Sequence, residues 1–319
     1  MSICLVTGGA GFIGSHVVDA LVSQGNDVRV IDDLSTGFRE NLPTNSNVEF
    51  VEADLAAPGV ASAAVDGVEW VVHLAAIPSV PRSVSEPART HRANVEGTQA
   101  LLLASRDAKV RRVVQASSSS VYGESETLPK HEEMYPSPLS PYALHKLIAE
   151  QYAALYTRLY GLETVSLRFF NVFGPRQSPG SQYSGVISLF TAALLEGRSP
   201  TIYGDGEQTR DFTYVSDVAE GILLSLSAPE ASGRAINLAR GGRTSVNSLY
   251  AMLQRSTGVE RAAIYKEPRT GDIRDSQADI TQARKVLGFE PGVTVEEGLR
   301  RTVEWQRTKG VQPDCLAVC

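Results

Sequence analysis

Through the first half of the chain, short apolar runs alternate with stretches whose apolar residues recur at helical spacing. "ICLVTGG", "DVRVID", "VEFVEAD", "WVVHLA", "RRVVQASS" and "TVSLRFFNV" are brief, rich in β-branched side chains and mostly apolar. Near-continuous apolar runs are buried on both faces, so they predict strands of a parallel sheet rather than of a half-exposed antiparallel one. Between them, residues 16–24, 94–107 and 142–159 carry the 3.6-residue period of amphipathic helices. Strand–helix–strand units with right-handed crossovers predict an α/β architecture, a doubly wound parallel sheet covered by helices.

After about Phe173 the rhythm breaks. "GPRQSPGSQYSG" is rich in Pro, Gly and Ser and predicts a loop. A helix over residues 186–196 follows, then "PTIYGDGEQTRDFTYVSDVAEGI" and a region with fewer strands. The expected division is a nucleotide-binding domain over residues 1–172 and a smaller, partly interleaved C-terminal substrate domain over residues 173–319, with segments around 210–238 returning to the first.

Composition narrows the function classes. The chain has 319 residues, 42% hydrophobic and 21% charged, with a formal net charge of −6, the profile of a soluble globular protein. That acidic balance argues against a nucleic-acid binder, which needs a basic face. No basic n-region with an apolar h-region opens the chain, and no apolar stretch is long enough to span a bilayer, so a cytoplasmic, membrane-free protein is expected. The three cysteines, Cys4, Cys315 and Cys319, make neither a disulfide framework nor a metal-ligand spacing, and no metal is expected.

"LVTGGAGFIGSH" places Gly8, Gly11 and Gly14 between the first strand and the first helix, with Phe12 and Ile13 in the same motif as further cofactor-binding candidates. Such glycines allow a tight turn, let a phosphate approach the backbone and let helix pack on strand, leaving a pyrophosphate at the helix N-terminus. Asp32 ends the second strand at the spacing where a carboxylate accepts hydrogen bonds from ribose hydroxyls and repels a 2′-phosphate. No arginine follows it immediately; Asp33 and Ser35 do, so the predicted cofactor is NAD rather than NADP. Asp54 and Leu55 after the third strand, and Leu74, Ala75 and Ala76 after the fourth, stand where loops would cover the adenine and the phosphates.

Tyr142 and Lys146 in "PYALHK" lie one helical turn apart. A lysine ammonium lowers the pKa of a neighbouring phenol, fitting the tyrosine to take a proton from an alcohol. Tyrosine and lysine four apart occur on many helices; here they follow a glycine fingerprint and a strand that ends in "SSSSVYG".

Taken in order, "TGGAGFIGSH", "SSSSVYG", "SPYALHK", "RFFNVFGPRQ" and "YGDGEQTRDFTYVSDV" resemble the extended short-chain dehydrogenase/reductase family, and within it the UDP-galactose 4-epimerase type. The resemblance covers essentially the whole chain. It implies a Rossmann domain holding NAD, a C-terminal domain holding a UDP-sugar, and a homodimer paired through the helices over residues 94–107 and 142–159. It further implies that Tyr142 is the base, Lys146 its electrostatic partner and ribose ligand, and Ser118 the partner of the sugar 4-hydroxyl. It adds Asn94, Ser117, Phe169 and Val172 to the cofactor-binding set.

For the substrate, the resemblance points to Ser79, Ser118, Ser119, Ser120, Asn171, Gly185, Val186, Thr201, Tyr203, Arg210, Arg269, Asp272 and Ser276. Arg210 and Arg269 match diphosphate-binding arginines, Asp272 a ribose ligand, and Val186 and Tyr203 the walls around uracil. Sugar 4,6-dehydratases of the family carry Thr-Asp-Glu before Val-Tyr-Gly; Ser118 matches the threonine, while Ser119 and Ser120 replace the two acids. Serine hydroxyls cannot do that acid/base work near neutral pH. Ser276 stands where epimerases restricted to glucose and galactose carry a tyrosine, leaving room for a 2-N-acetyl group. The implied activity is an NAD-dependent 4-epimerase of UDP-GlcNAc/UDP-GalNAc, with UDP-glucose/UDP-galactose as further substrates. A UDP-glucuronate 4-epimerase, a 4,6-dehydratase and a non-catalytic NAD-binding sensor are the alternatives.

Overall fold

The structure is a computed structural model that describes residues 3–177, 185–268 and 273–309. Chain order in the first half is β1 (Ile3–Thr7), α1 (Phe12–Ser23), β2 (Asp27–Asp32), β3 (Val48–Glu52), α2 (Val60–Ala64), β4 (Val68–His73), α3 (Val80–Ser85), α4 (Pro87–His91), α5 (Gly97–Asp107), β5 (Arg112–Ser118), α6 (Pro141–Tyr160) and β6 (Glu163–Phe169). There follow β7 (Asn171–Phe173), α7 (Val186–Leu195), β8 (Thr201–Tyr203), β9 (Thr209–Arg210), β10 (Phe212–Tyr214), α8 (Val215–Ser227), β11 (Arg234–Leu238), β12 (Thr244–Ser245), α9 (Val246–Thr257), β13 (Ile264–Lys266) and α10 (Val295–Lys309).

Seven strands form one parallel sheet in the order β11-β6-β5-β4-β1-β2-β3. This is the doubly wound topology that the strand pattern predicts, and its order reverses between β1 and β4, where ligands bind at strand C-termini. Neighbouring residues point to opposite faces. Leu5 and Val113 pack with Leu101, Leu102 and Tyr156 from the α5/α6 layer, while Val6 and Val114 pack with Val17, Val218 and Ile222 from the α1/α8 layer. A separate core of Phe173, Ile187, Phe190, Leu249, Leu253, Leu299 and Val303 unites α7, α9 and α10. Strand β11 pairs with β6 in the main sheet, and α8 lies against α1.

Three element boundaries differ from the sequence pattern. Helix α1 starts at Phe12, four residues before the first expected position, so Gly14 lies inside it. The helix expected over 94–107 is preceded by α4 and by a π-helical stretch, Arg92–Glu96, so one continuous helical rod enters α5. The run "TVSLRFFNV" splits into β6 and β7; β7 leaves the main sheet and pairs in parallel with β10. Among the described residues no helix is long and apolar enough to cross a membrane. Cys4 is buried in β1 and its thiol is pushed up to about 12 by that burial, while Cys315 and Cys319 lie outside the described residues.

Candidate active site

The turn after β1 carries the first part of the site. Gly8 has φ +69°, and a Cβ there would stand 2.7 Å from the Ala75 amide nitrogen. A Cβ on Gly14 would stand 2.1 Å from the Gly8 carbonyl oxygen. The backbone of the turn, the loop after β4 and the first turn of α1 therefore meet more closely than any side chain allows. Helix α1 has Gly11 at its N-cap and no side-chain cap, so its first amides face outward with the positive end of the helix dipole. Phe12 and Ile13 are half-buried, Phe12 edge-on to His16 and Ile13 packed on the core.

Asp32 lies beside this cradle. Its carboxylate accepts the Ala10 amide at 3.0 Å and the Leu34 amide at 2.9 Å. Burial raises its pKa, and those two donors work in the opposite direction. Asp33 is exposed and accepts from the Ser35 amide and hydroxyl at 2.9 and 2.6 Å, shaping the turn beyond. The cradle a Cβ would fill, the open helix end and the buried carboxylate together fit a dinucleotide.

The other expected cofactor residues fall around the same edge. Leu74 and Ala75 follow β4; the Leu74 amide donates to the Thr7 carbonyl at 3.0 Å and the Ala75 amide to the Thr7 hydroxyl at 3.2 Å, and half-buried Ala76 comes next. Buried Asn94 clamps this loop, accepting from the Ile77 amide at 2.7 Å and donating to its carbonyl at 3.2 Å. Asp54 accepts from Ala56 and pairs with Arg92, and Leu55 is buried behind it. The Ser117 hydroxyl points away from the cleft and donates to Glu150, so only its backbone remains for a cofactor. Phe169 is buried at the end of β6, and Val172 is half-buried in β7.

The chemistry-bearing side chains meet where β5 ends against α6. Ser140 caps α6, its hydroxyl accepting the Ala143 amide at 3.2 Å, Pro141 occupies the first turn and Gly161 closes the helix at φ 72°. Tyr142 and Lys146 thus sit on the first two turns, facing the strand end. The Tyr142 hydroxyl is hydrogen-bonded to Ser118, and burial pushes its pKa up to about 12. The Lys146 ammonium donates to the Ala116 carbonyl at 2.8 Å and lies 6.0 Å from the Tyr142 ring centre. Burial pulls Lys146 down to about 8, while the Glu150 carboxylate, one turn on, acts in the opposite direction. Behind Ser118 the chain turns through a 3₁₀ segment, Ser119–Tyr122, where the Ser120 amide donates to the Ser118 hydroxyl at 3.2 Å. The Ser120 hydroxyl is buried and has no hydrogen-bond partner among the described residues.

Ser83 was not singled out by the sequence pattern. Its buried hydroxyl accepts the Tyr142 amide at 3.0 Å and donates to Val80 at 2.6 Å, tying α3 to the start of α6. Ser79 caps α3, accepting the Arg82 amide at 3.1 Å. His73 was missed too; held between Thr7 and Thr98 at 2.7 and 2.8 Å, it is pulled down to about 3 by burial and then by Lys146, and is neutral.

The expected substrate residues of the second half are distributed around the smaller sheets. Arg210 on β9 donates to the Thr209 and Arg274 carbonyls at 2.9 and 3.3 Å, and the Ser276 amide donates to the Thr209 carbonyl at 3.1 Å, so Arg210 and Ser276 are neighbours. Thr201 and Tyr203 lie on β8 opposite Ile264 and Lys266, Gly185 and Val186 begin α7, and exposed Asn171 begins β7 beside β10. Arg269 and Asp272 lie outside the described residues. Arg176, in the loop after β7, pairs with Asp19 of α1 at 2.7 Å, and the Pro175 carbonyl meets His16 at 2.9 Å, joining that loop to α1.

A glycine turn at the reversal of a parallel sheet, a buried carboxylate at the end of the second strand and a Ser–Tyr–Lys cluster at the end of β5 define a nicotinamide-dinucleotide protein of the extended short-chain dehydrogenase/reductase class. The chain belongs to the NAD dependent epimerase/dehydratase family, whose model matches residues 4–239, and NAD is its cofactor. It is 41% identical over 310 residues to a UDP-glucose 4-epimerase of Mycolicibacterium smegmatis, covering 96% of this chain and 98% of that one. Among solved structures it is similar to a UDP-N-acetylglucosamine 4-epimerase from Methanobrevibacter ruminantium M1 in complex with UDP-N-acetylmuramic acid, with TM-score 0.93, 40% identity and coverage of 97% and 99%. It is equally similar to a UDP-glucose 4-epimerase from Thermotoga maritima with UDP-glucose, with TM-score 0.92, 41% identity and coverage of 96% and 99%.

Proposed function

We propose that this chain is an NAD-dependent 4-epimerase of UDP-sugars, acting on UDP-GlcNAc and UDP-GalNAc and, in the same pocket, on UDP-glucose and UDP-galactose. The observation that carries it is the Ser118–Tyr142–Lys146 cluster at a strand end where Ser119 and Ser120 stand in place of acids. Tyr142 takes the proton of the sugar 4-hydroxyl and later returns it, Ser118 holds that hydroxyl in line, and Lys146 places positive charge beside the phenol. NAD, when bound, supplies the acceptor that receives the hydride of carbon 4 and gives it back. With no carboxylic acid in the serine run to protonate a departing hydroxyl, the 4-keto sugar keeps its water, turns over and is reduced on its other face. Gly8, Gly11, Gly14 and Asp32 hold the dinucleotide. The nucleotide-binding unit spans residues 1–172 with the segments around 210–238, and the UDP-sugar unit is the remainder; at their junction Arg210 grips the diphosphate with Arg269, and Asp272 holds the ribose.

Ser276 beside Arg210 supports the N-acetylhexosamine reading, because a small side chain leaves volume at the sugar 2-position. Product analysis with UDP-GlcNAc, UDP-glucose and UDP-glucuronate tests the whole reading. Interconversion of UDP-GlcNAc and UDP-GalNAc at constant mass supports it, and loss of one water or turnover of UDP-glucuronate alone overturns it. Ser276→Tyr is expected to lower kcat/KM for UDP-GlcNAc roughly tenfold or more while sparing UDP-glucose, the scale at which one pocket wall discriminates. Equal effects on both sugars would remove Ser276 from that role.

A second copy of the chain pairs through α5 and α6, whose outer faces expose Leu103, Leu144, Tyr152, Leu155 and Leu159. Sedimentation velocity at micromolar concentration is expected to give a dimer.

A further inference from the structure

Glu150 lies on α6 one turn beyond Lys146, 4% exposed, in a buried ion pair with Arg168 of β6, itself 5% exposed. One carboxylate oxygen accepts from the Ser117 hydroxyl at 2.5 Å and from Arg168 Nε at 2.9 Å; the other accepts from a second Arg168 nitrogen at 2.8 Å. Arg168 also donates to the Tyr122 hydroxyl at 3.0 Å, and Tyr122 donates to Asn237 at 2.6 Å. Asn237 reaches the Lys130 and Asp279 carbonyls at 2.9 and 3.1 Å. A buried pair of this kind gives little net stability compared with apolar packing, so its cost points to a task other than folding.

What it holds is specific. Ser117 stands between Ala116, whose carbonyl holds the Lys146 ammonium, and Ser118, which is hydrogen-bonded to Tyr142. We propose that the Glu150–Arg168 pair is a positioning device for proton transfer: through Ser117 it fixes the strand segment 116–118 against α6, and its carboxylate sets the charge that Lys146 experiences. Neither residue touches the reacting atoms, so both are positioning residues. The other titratable groups facing Lys146 are His73 from β4, neutral between its two threonines, His145 on α6, whose pKa burial lowers with His91 and Lys146 acting in the same direction, and Tyr142 itself.

The proposal rests on the epimerase reading, and the experiment separates the two. Activity of the wild-type holoenzyme on any UDP-sugar of the panel establishes that reading first; its absence on all of them overturns the reading and this inference with it. In active enzyme, Ser117→Ala removes only the tether and is expected to lower kcat about tenfold, with KM and NAD content unchanged. Glu150→Gln removes the negative charge one turn from Lys146, which lowers the Lys146 pKa. The limb of the kcat–pH profile that depends on Lys146 is therefore expected to move to lower pH by about half a unit or more, a change that a structural role alone would not produce. A folded Glu150→Gln enzyme whose profile coincides with wild type overturns the proposal. Should that variant not fold, Ser117→Ala decides: wild-type kcat overturns the proposal and a reduced kcat at unchanged KM supports it.

Discussion

Replacing Tyr142 by phenylalanine is expected to lower kcat about a thousandfold while leaving NAD content, UDP affinity and thermal stability near wild type. A positioned general base accounts for roughly 10²–10⁴ of rate, and the polar groups next to Tyr142 are already engaged. Ser118 is an alcohol whose hydroxyl is already engaged with Tyr142 and with the Ser120 amide. Lys146 is bound to the Ala116 carbonyl. The aromatic ring stays in place in the Tyr142→Phe variant because the Ser83 bond goes to the backbone amide of that position. The sign of the pH effect follows from the same geometry. Burial, opposed by the Ser118 hydrogen bond, holds Tyr142 at about 12, so the ligand-free protein keeps the phenol protonated throughout the neutral range. The acid limb of kcat in turnover is expected well below that value, because Lys146 and the assembled site stabilise the phenolate. Proton NMR of the interconverting sugar reads the rate directly; a Tyr142→Phe enzyme retaining more than a tenth of wild-type kcat would exclude Tyr142 as the base.

The sheet was legible in the sequence because burial on both faces leaves an unmistakable apolar run, and β1, β2, β4 and β5 lie where those runs are. Boundaries governed by packing were less legible. Helix α1 begins at Phe12 because the glycines of its first turn are required by contacts with Gly8 and Gly9, whereas local propensity counts glycine against a helix. Strands β7 to β10, two or three residues each, are too short to carry any period. In the site, Tyr142 and Lys146 were legible as a pair because their spacing is local and their chemistry unusual, whereas Ser118, far from them in sequence, was reached through the family resemblance. Glu150 and Arg168 were not: neither stands in a motif with the other, and only the fold shows that α6 and β6 bring them together. Ser117 illustrates the same limit, since four adjacent serines look alike until strand alternation turns one hydroxyl into the core.

Gly14→Ala is expected to abolish NAD retention, with affinity lowered by a hundredfold or more, and to lower the melting temperature by roughly 5 °C. One methyl group is added, but at 2.1 Å from the Gly8 carbonyl oxygen and 2.8 Å from the Gly9 Cα there is no room for it. Both obstacles are backbone, so no side-chain rotation relieves the overlap, and either α1 or the turn must move. The turn cannot move alone. The Gly8 carbonyl accepts the Gly11 amide at 3.1 Å, the Gly8 amide donates to the Ile31 carbonyl at 2.8 Å, and Gly8 abuts Ala75. Displacing α1 instead separates its uncapped amides from the Asp32 carboxylate, which the Ala10 amide anchors at 3.0 Å, so the pyrophosphate and ribose anchors lose their common geometry. Absorbance of the cofactor released on denaturation measures NAD content, and thermal melts with and without added NAD measure the coupling. Wild-type protein gains stability from bound NAD by mass action, so its melting temperature rises with added cofactor, whereas the Gly14→Ala protein is expected to melt at the same temperature in both conditions. Wild-type NAD content in that variant would mean that α1 and the glycine turn are not the phosphate cradle.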